Sequence, residues 1–280
     1  MRMTGWRSLL FVPATSPQLL AKAIRSGADA VIVDLEDSVA PERKAEARRL
    51  AREAITAGGG EVPLLLRVNA QPGWLQEDLA QAPLDRLQGV MLPKVESAQQ
   101  VIDVQETLAR LGVPQLPIAV LIETARGVLR AERIAAASPN VAALGFGAED
   151  YASEMGVEPQ PSSLLWPAQQ VATCARAFGQ ACWGLPGSIA EIADMEAFGA
   201  LVSQARAVGF TGTVCIHPKQ VAVANQGFGP SAAELLWARK VVAADEDAQH
   251  QGLGAVQLDG KMIDRPIVER ARRWLRLSTR

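Results

Sequence analysis

Glu123 ends the apolar run IAVLI, and Asp150 follows LGFGAE. Each acid therefore stands at the C-terminal end of a run apolar enough to be buried. A carboxylate in that position bears a desolvation penalty unless a cation or hydrogen bonds satisfy it. Two such acids, one strand–helix unit apart, suit a hard divalent ion. Mg²⁺ is commonly held by one or two carboxylates, with water and substrate oxygens completing its octahedron, and Mn²⁺ accepts the same donors. A plainer reading is equally open at this point: one acid caps a helix and the other pairs with a basic residue.

Further polar residues close other apolar runs. Asp34, Glu36 and Asp37 follow the second run, and Arg67 and Asn69 lie at the end of the third. Lys94 follows the fourth, Glu149 stands beside Asp150 after the sixth, and His217 and Lys219 follow the eighth. Charges gathered at so many run ends point to a shared site. Arg67, in LLLRVN, could clamp a carboxylate through two parallel N–H donors, or it could pair with Asp34 or Glu36 of the neighbouring run. Glu36 and Asp37 could hydrogen-bond the waters of a bound metal or cap the next loop. Lys94 could serve as the Schiff-base nucleophile of an aldolase, although an ion pair beside Glu96 is the simpler role. His217 precedes a proline and reads as structural, and His250 carries no signal.

The elements that must position these groups follow from the spacing of the apolar runs. SLLFVP (8–13), DAVIVDL (29–35), LLLRVN (64–69), GVMLP (89–93), IAVLIE (118–123), ALGFG (143–147), ACWGLP (181–186) and GTVCIHP (212–218) are continuous rather than alternating. Continuous runs are expected of parallel strands covered on both faces. Helical segments separate them: Pro41 opens PERKAEARRLAREAI, Ser97 and Gln100 form a capping box, and EIADMEAFGALVSQARAVG stops at Gly209. Strands alternating with helices in this number predict a (β/α)8 TIM barrel, whose functional groups sit at the C-terminal strand ends. A doubly wound sheet is the alternative, but no GxGxxG follows the first strand, which argues against dinucleotide binding. The glycines at 58–60 read as a helix–strand connection. The pattern breaks after the eighth run, so the barrel is expected over 1–225 and an extension over 226–280. That extension reads as a helix, a hairpin turning at Asp259-Gly260, and a closing helix with Pro266 near its start. It could pack on the barrel or reach a neighbouring subunit.

Composition narrows the class. The 280 residues carry 28 basic and 30 acidic side chains, a balance without the excess that a nucleic-acid surface needs. Cys174, Cys182 and Cys215 are odd in number and form no CxxC pair, which fits core thiols in a reducing compartment. No apolar stretch reaches the length of a membrane span, and the basic N-terminus lacks the apolar run and cleavage site of a signal peptide. A cytoplasmic protein is expected.

The motifs RSLLFVP, DAVIVDLEDSVAPERKAEAR, LRVN, VMLPKVES, IETARGV, LGFGAEDY, VCIHPKQV and GKMIDRPIV, taken in order, span nearly the whole chain. As a set they resemble the citrate lyase beta-subunit family, which includes the malyl-CoA and citramalyl-CoA lyases. The resemblance implies a TIM barrel and a Mg²⁺-dependent carbon–carbon lyase acting on 3-hydroxyacyl-CoA thioesters. The products would be acetyl-CoA and a 2-oxo acid: pyruvate first, then glyoxylate or oxaloacetate. It assigns the metal to Glu123 and Asp150 and the carboxylate clamp to Arg67. Asn69 and the backbone amides of Ala148 and Glu149 join as substrate contacts, and Glu36 and Asp37 stand as candidates for the hydroxyl proton. Asp264, which by itself reads as an N-cap ahead of Pro266, falls on the family's acid/base, which reaches a neighbour's site in a homotrimer or hexamer. The chain departs from the family pattern at PATSP, which lacks the usual glycine after the proline, and at Gly184, where many members carry aspartate. Both departures bear on the substrate rather than the reaction type. The alternatives are a class II aldolase acting on free 4-hydroxy-2-oxo acids and a citrate lyase beta subunit dependent on an acyl-carrier partner.

Overall fold

The computed structural model describes residues 3–58, 62–250 and 255–278. Gly59 and Gly60 of the glycine run lie outside the described residues. The chain divides into two compact units, Met1–Phe228 and Gly229–Arg280.

The first unit is a (β/α)8 barrel. Its strands are β1 (Ser8–Pro13), β2 (Ala30–Asp34), β3 (Leu64–Arg67), β4 (Gly89–Leu92), β5 (Ile118–Ile122), β6 (Val141–Phe146), β7 (Ala181–Gly184) and β8 (Thr213–Cys215). They pair in parallel in the order β7-β6-β5-β4-β3-β2-β1-β8. A parallel bridge from Trp183 to Gly212 joins the two ends of that order and closes the ring. The closure needs glycine at 212, because a Cβ there would stand 2.4 Å from the carbonyl oxygen of Trp6.

Both faces of each strand are buried, which explains the continuous apolar runs. One face packs outward against the helices through residues such as Val31, Val33, Leu66, Val90 and Val120. The other fills the barrel with Leu9, Ile32, Leu65, Met91, Leu121 and Trp183. Successive side chains alternate between the two faces. The inward phase therefore runs from Ile32 to Asp34, from Leu65 to Arg67 and from Leu121 to Glu123. The charged residues are the uppermost layer of the interior, at the C-terminal mouth. At the opposite end the short helix Met3–Gly5 closes the barrel, with Met3 and Trp6 buried in the interior cluster. Trp6 stacks on Trp183 with ring centroids 6.0 Å apart.

The capping box of helix Ala98–Arg110 forms as its residues suggest. Two helix starts differ from the sequence expectation. The segment beginning at Pro41 opens as a 3₁₀ turn, Pro41–Arg43, before the α-helix Lys44–Ala57. The helix before Gly209 begins at Met195, because the extended Asp194 caps it through the N–H groups of Glu196 and Ala197. Among the described residues, no helix is long and apolar enough to cross a membrane.

The second unit packs helix Ala232–His250 against helix Arg265–Ser278 around Ala238, Val241, Ile263, Val268 and Ala271. Between them lies the hairpin of β9 (Val256–Leu258) and β10 (Lys261–Ile263). Asp259 and Gly260 both take positive φ (47° and 76°), the pair of conformations a two-residue hairpin turn requires. Asp264 is half-buried, and its carbonyl oxygen accepts the N–H groups of Ile267 and Val268 as the last helix starts.

Candidate active site

A cavity of about 460 Å³ opens at the C-terminal mouth of the barrel. Asp34, Asp37, Arg67, Glu123, Glu149 and Asp150 line one side of it, and apolar residues line the other.

Asp34 organises the charged side. It accepts the N–H groups of Glu36 and Ser38 at 2.9 and 3.1 Å, which folds the loop after β2 back onto the strand end. It also takes a bidentate pair from Arg67, Nε at 2.6 Å and Nη2 at 2.7 Å. Burial works to raise its pKa, but the arginine outweighs it and holds Asp34 below the usual carboxylate range. Arg67 lies over the ring of Phe11, 4.5 Å from its centroid, and turns Nη1 toward Glu36 (3.1 Å) and Asp37 (3.4 Å). Of the two sequence readings of Arg67, the pairing with Asp34 and Glu36 is therefore present. A substrate carboxylate would meet only the part of the guanidinium that Asp34 leaves open.

Glu36 is buried, and its Oε1 lies 2.8 Å from Lys94 Nζ. Burial pushes its pKa upward despite the two cations. Asp37 is half-exposed and lies 3.2 Å from the same ammonium. Lys94 has a left-handed backbone (φ 53°), uncommon for a residue with a side chain. That conformation aims its N–H at Glu123 Oε2, 2.8 Å away. Burial opposes its charge, but Glu36 and Asp37 raise its pKa above the ordinary value. An amine held charged between two carboxylates is poorly placed to attack a carbonyl, which argues against the Schiff-base reading.

Glu123 is 4 % exposed. Burial first, then the charges of Asp150 and Glu36, push its pKa up to about 7, against an ordinary 4.5. Among the described residues Glu123 has no ion-pair partner, and Arg67, which grips Asp34, lowers its pKa only from a distance. Gly147 makes room for it: a Cβ there would stand 2.5 Å from both Cγ and Oε1 of Glu123. Asp150 and Glu149 occupy the first turn of helix Ala148–Met155, at the positive end of its dipole. Glu149 accepts the hydroxyl of Ser188, and Ala148 lines the cavity. The donor set thus fits a divalent cation: two hard carboxylates, one buried and short of positive charge, beside a cradle that a side chain would fill. Among the described residues no three His, Cys, Asp or Glu side chains could close around an ion, so this pair would leave positions for water and substrate.

Asn69 is placed elsewhere than expected. It is buried, and its Nδ2 donates to the carbonyl of Leu35 (3.1 Å) and to Asp78 Oδ2 (2.7 Å), which also takes its backbone N–H. It braces the loop after β2 from below and does not line the cavity. Lys44 does the same work, donating to the carbonyls of Leu35 and Glu36 at 2.7 Å each. Nothing in the spacing marked Lys44, which lies in a helix of ordinary polar composition. Gly147 stands within LGFGAED, but nothing in the sequence marks it as making room for an acid on the preceding strand. His217 accepts the N–H of Lys219 at 3.2 Å, a local turn contact. Asp264 belongs to the second unit.

Fold and site together define a parallel (β/α)8 barrel with a carboxylate-rich, metal-competent cavity at the C-terminal strand ends. The chain belongs to the HpcH/HpaI aldolase/citrate lyase family, whose model matches residues 7–218. It is 38 % identical over 276 residues to a citrate lyase subunit beta-like protein of Deinococcus radiodurans, covering 96 % of each chain. It is 35 % identical over 292 residues to an L-malyl-CoA/beta-methylmalyl-CoA lyase of Cereibacter sphaeroides, covering 95 % of this chain and 92 % of that one. Among solved structures it resembles CitE from Mycobacterium tuberculosis in complex with magnesium, acetoacetate and coenzyme A, with a TM-score of 0.79, 33 % identity and 98 % of both chains covered.

Proposed function

We propose that this protein is a Mg²⁺-dependent lyase that cleaves a 3-hydroxyacyl-CoA to acetyl-CoA and a 2-oxo acid, or runs the reverse condensation. One observation carries the reading: in a member of this family, the pKa of Glu123 is raised by burial and by the charge of Asp150, and Glu123 has no ion-pair partner among the described residues, feeling Arg67 only across the cavity. The names of two similar proteins point the same way, a malyl-CoA lyase and a barrel crystallised with magnesium and coenzyme A, whereas a (3S)-malyl-CoA thioesterase of Cereibacter sphaeroides, 36 % identical over 275 residues, makes thioester hydrolysis the outcome to exclude.

Glu123 and Asp150 would hold the ion, which when bound supplies Lewis-acid stabilisation of the oxygen that gains charge as the carbon–carbon bond breaks. The guanidinium edge of Arg67 and the N–H groups of Ala148 and Glu149 at their helix N-terminus would hold the 2-oxo acid carboxylate. In cleavage the hydroxyl proton leaves, the bonding electron pair passes to the thioester as an enolate, and its α-carbon takes up a proton. No oxidant or reductant enters. Glu36 and Asp37 are the candidates for the hydroxyl proton, and Asp264 from a neighbouring subunit would serve the α-carbon. This assigns the extension an intersubunit role in a homotrimer or hexamer. The buried, unpaired cysteines suit a reducing cytoplasm.

The test is the purified chain with Mg²⁺ and citramalyl-, malyl- or citryl-CoA, with detection of the released 2-oxo acid. Acetyl-CoA and oxo acid in equal amounts are expected, and Glu123→Ala with Asp150→Ala should abolish both. Free CoA without any oxo acid would mean thioester hydrolysis and would overturn the reading. Mixing Asp264→Ala with Arg67→Ala protomers should restore part of the activity if the site is shared between chains.

A further inference from the structure

The cavity is electrically and chemically two-sided. Its charged residues come from β2, β3, β5 and the turn after β6: five carboxyl groups, from Asp34, Asp37, Glu123, Glu149 and Asp150, against the single guanidinium of Arg67. That guanidinium already gives two of its donors to Asp34. The lining side chains contributed by β1, β7 and β8 and their following loops carry no charge and are aliphatic or aromatic, among them Phe11, Trp183, Leu185, Ile189, Val214 and Ile216; their one polar atom is the buried Trp183 Nε1, which has no hydrogen-bond partner among the described residues.

We propose that this cavity selects a 2-oxo acid with one carboxylate and a short alkyl substituent over one carrying a second carboxylate, and that Ile216 is a specificity-determining residue. The inference rests on the lyase reading above and deepens it. One carboxylate and the keto oxygen belong on the charged side, with Arg67, Glu123 and Asp150. The substituent on the keto carbon is left to the apolar side. A second carboxylate there would lie beside aromatic and branched side chains with five acids nearby, and the one lining cation, Arg67, is already engaged by Asp34 and by the first carboxylate. An unpaired buried charge is disfavoured by a hundredfold or more. An alkyl group is favoured instead, by about fourfold for each carbon buried.

The apolar wall is built rather than incidental. Gln220 is buried and holds it at two points. Its Oε1 accepts the N–H groups of Ile216 (2.9 Å) and His217 (3.1 Å), and its Nε2 donates to the carbonyl of Ile189 at 2.8 Å. Ile189 and Ile216 are thereby fixed through their backbones by one side chain. The Ile216 side chain is 44 % exposed, so position 216 can take a long polar residue without opening the core.

The experiment measures kcat/KM for condensation of acetyl-CoA with glyoxylate, pyruvate, 2-oxobutyrate and oxaloacetate, with Mg²⁺ present. Calorimetry of pyruvate and oxaloacetate binding to the Mg²⁺-loaded protein, without acyl-CoA, gives a second readout. Pyruvate and 2-oxobutyrate should exceed glyoxylate by about fourfold or more, and oxaloacetate should trail pyruvate by about a hundredfold. Ile216→Arg should narrow the pyruvate-to-oxaloacetate ratio by at least about tenfold, the scale of one new ion pair at a partly buried site. Ile189→Arg tests the same wall if the first variant is poorly expressed. Oxaloacetate within tenfold of pyruvate in the unmodified protein would overturn the proposal, as would an unchanged ratio in a folded, active Ile216→Arg. Failure of all four acids to condense would instead overturn the lyase reading, and the calorimetric preference would still decide which acid the wall selects.

Discussion

Gly147→Ala, read against a control that also costs stability, tests the geometry of the proposed metal pair. Gly147 has φ −90° and ψ 94°, a conformation any residue adopts, so the new methyl adds no backbone strain. Its effect is steric. The added carbon would stand 2.5 Å from Glu123 Cγ and Oε1 and 2.9 Å from Cδ. Ordinary van der Waals contact needs close to 1 Å more than that. Glu123 is hemmed in on its other oxygen by the N–H of Lys94 at 2.8 Å. The carboxylate must therefore either swing away from Asp150 or break that hydrogen bond. Mis-aiming a ligand in this way lowers metal affinity by about 10–100-fold. Stability should fall as well: crowding or a lost hydrogen bond costs about 1–3 kcal/mol, and restricting the unfolded chain offsets about 0.4–1 kcal/mol of it.

Gly156→Ala is the matched control. Gly156 ends the same helix with φ 67° and has no atom within 4 Å of an added Cβ. That substitution strains the backbone by about 1 kcal/mol and leaves the carboxylates untouched. Mn²⁺ binding by EPR, Mg²⁺ binding by calorimetry and thermal melts on both variants should separate the two effects. Both variants should lose some Tm, but only Gly147→Ala should lose metal affinity. A Gly147→Ala protein whose Kd for the metal stayed within about threefold of the parent would refute the claim that Glu123 must occupy that cradle.

Two further outcomes follow from the charges. Glu123 has a folded pKa of about 7, raised above the ordinary 4.5. The folded chain thus holds this proton more tightly than the unfolded one. The stability it contributes is complete below about pH 4.5 and is lost as pH rises through about 7, up to roughly 3 kcal/mol for the metal-free protein. Mg²⁺ must displace that proton, so its stabilising shift in Tm should be larger at pH 8 than at pH 5.5; equal shifts at both would contradict the assignment. Lys94→Met removes the ammonium between Glu36 and Asp37 but keeps the N–H that Glu123 accepts. Metal affinity should hold within about threefold while kcat falls by about tenfold or more. In the unmodified protein, borohydride with pyruvate should leave Lys94 unlabelled, and a trapped adduct there would revive the Schiff-base route.

The barrel was legible because each strand is buried on both faces, so its residues read as one uninterrupted apolar run. The site was legible for a related reason. A barrel delivers every strand's C-terminal end to one mouth, so an acid two residues beyond an inward Ile32 or Leu121 must point into it. What could not be read was how the charges share partners. Asn69 keeps the inward phase of Arg67 on paper, yet Asp78 from helix Pro72–Gln81 captures both its backbone and side-chain donors. Lys44 gives no sign in its helix that it supports the acid-bearing loop.

Asp34, Glu36 and Glu123 look alike in sequence, each a carboxylate at or near the end of an apolar run. In the fold Arg67 grips Asp34 on both oxygens and lowers its pKa, while Glu36 shares Arg67 and Lys94 and stays modestly raised. Glu123 receives one backbone N–H and repulsion from two acids, and rises furthest. Arg67 and Lys94 pair with the acids of β2 and its loop, where Lys44 also stands, and Glu123 is left without an ion pair among the described residues. A divalent ion placed beside Glu123 and Asp150 would offset the burial and repulsion that raise the pKa of Glu123; placed beside Asp34 it would displace a bidentate arginine for little gain. The partition of Arg67 and Lys94 among these acids, rather than the presence of the acids themselves, is therefore what favours Glu123 and Asp150 as the proposed metal pair.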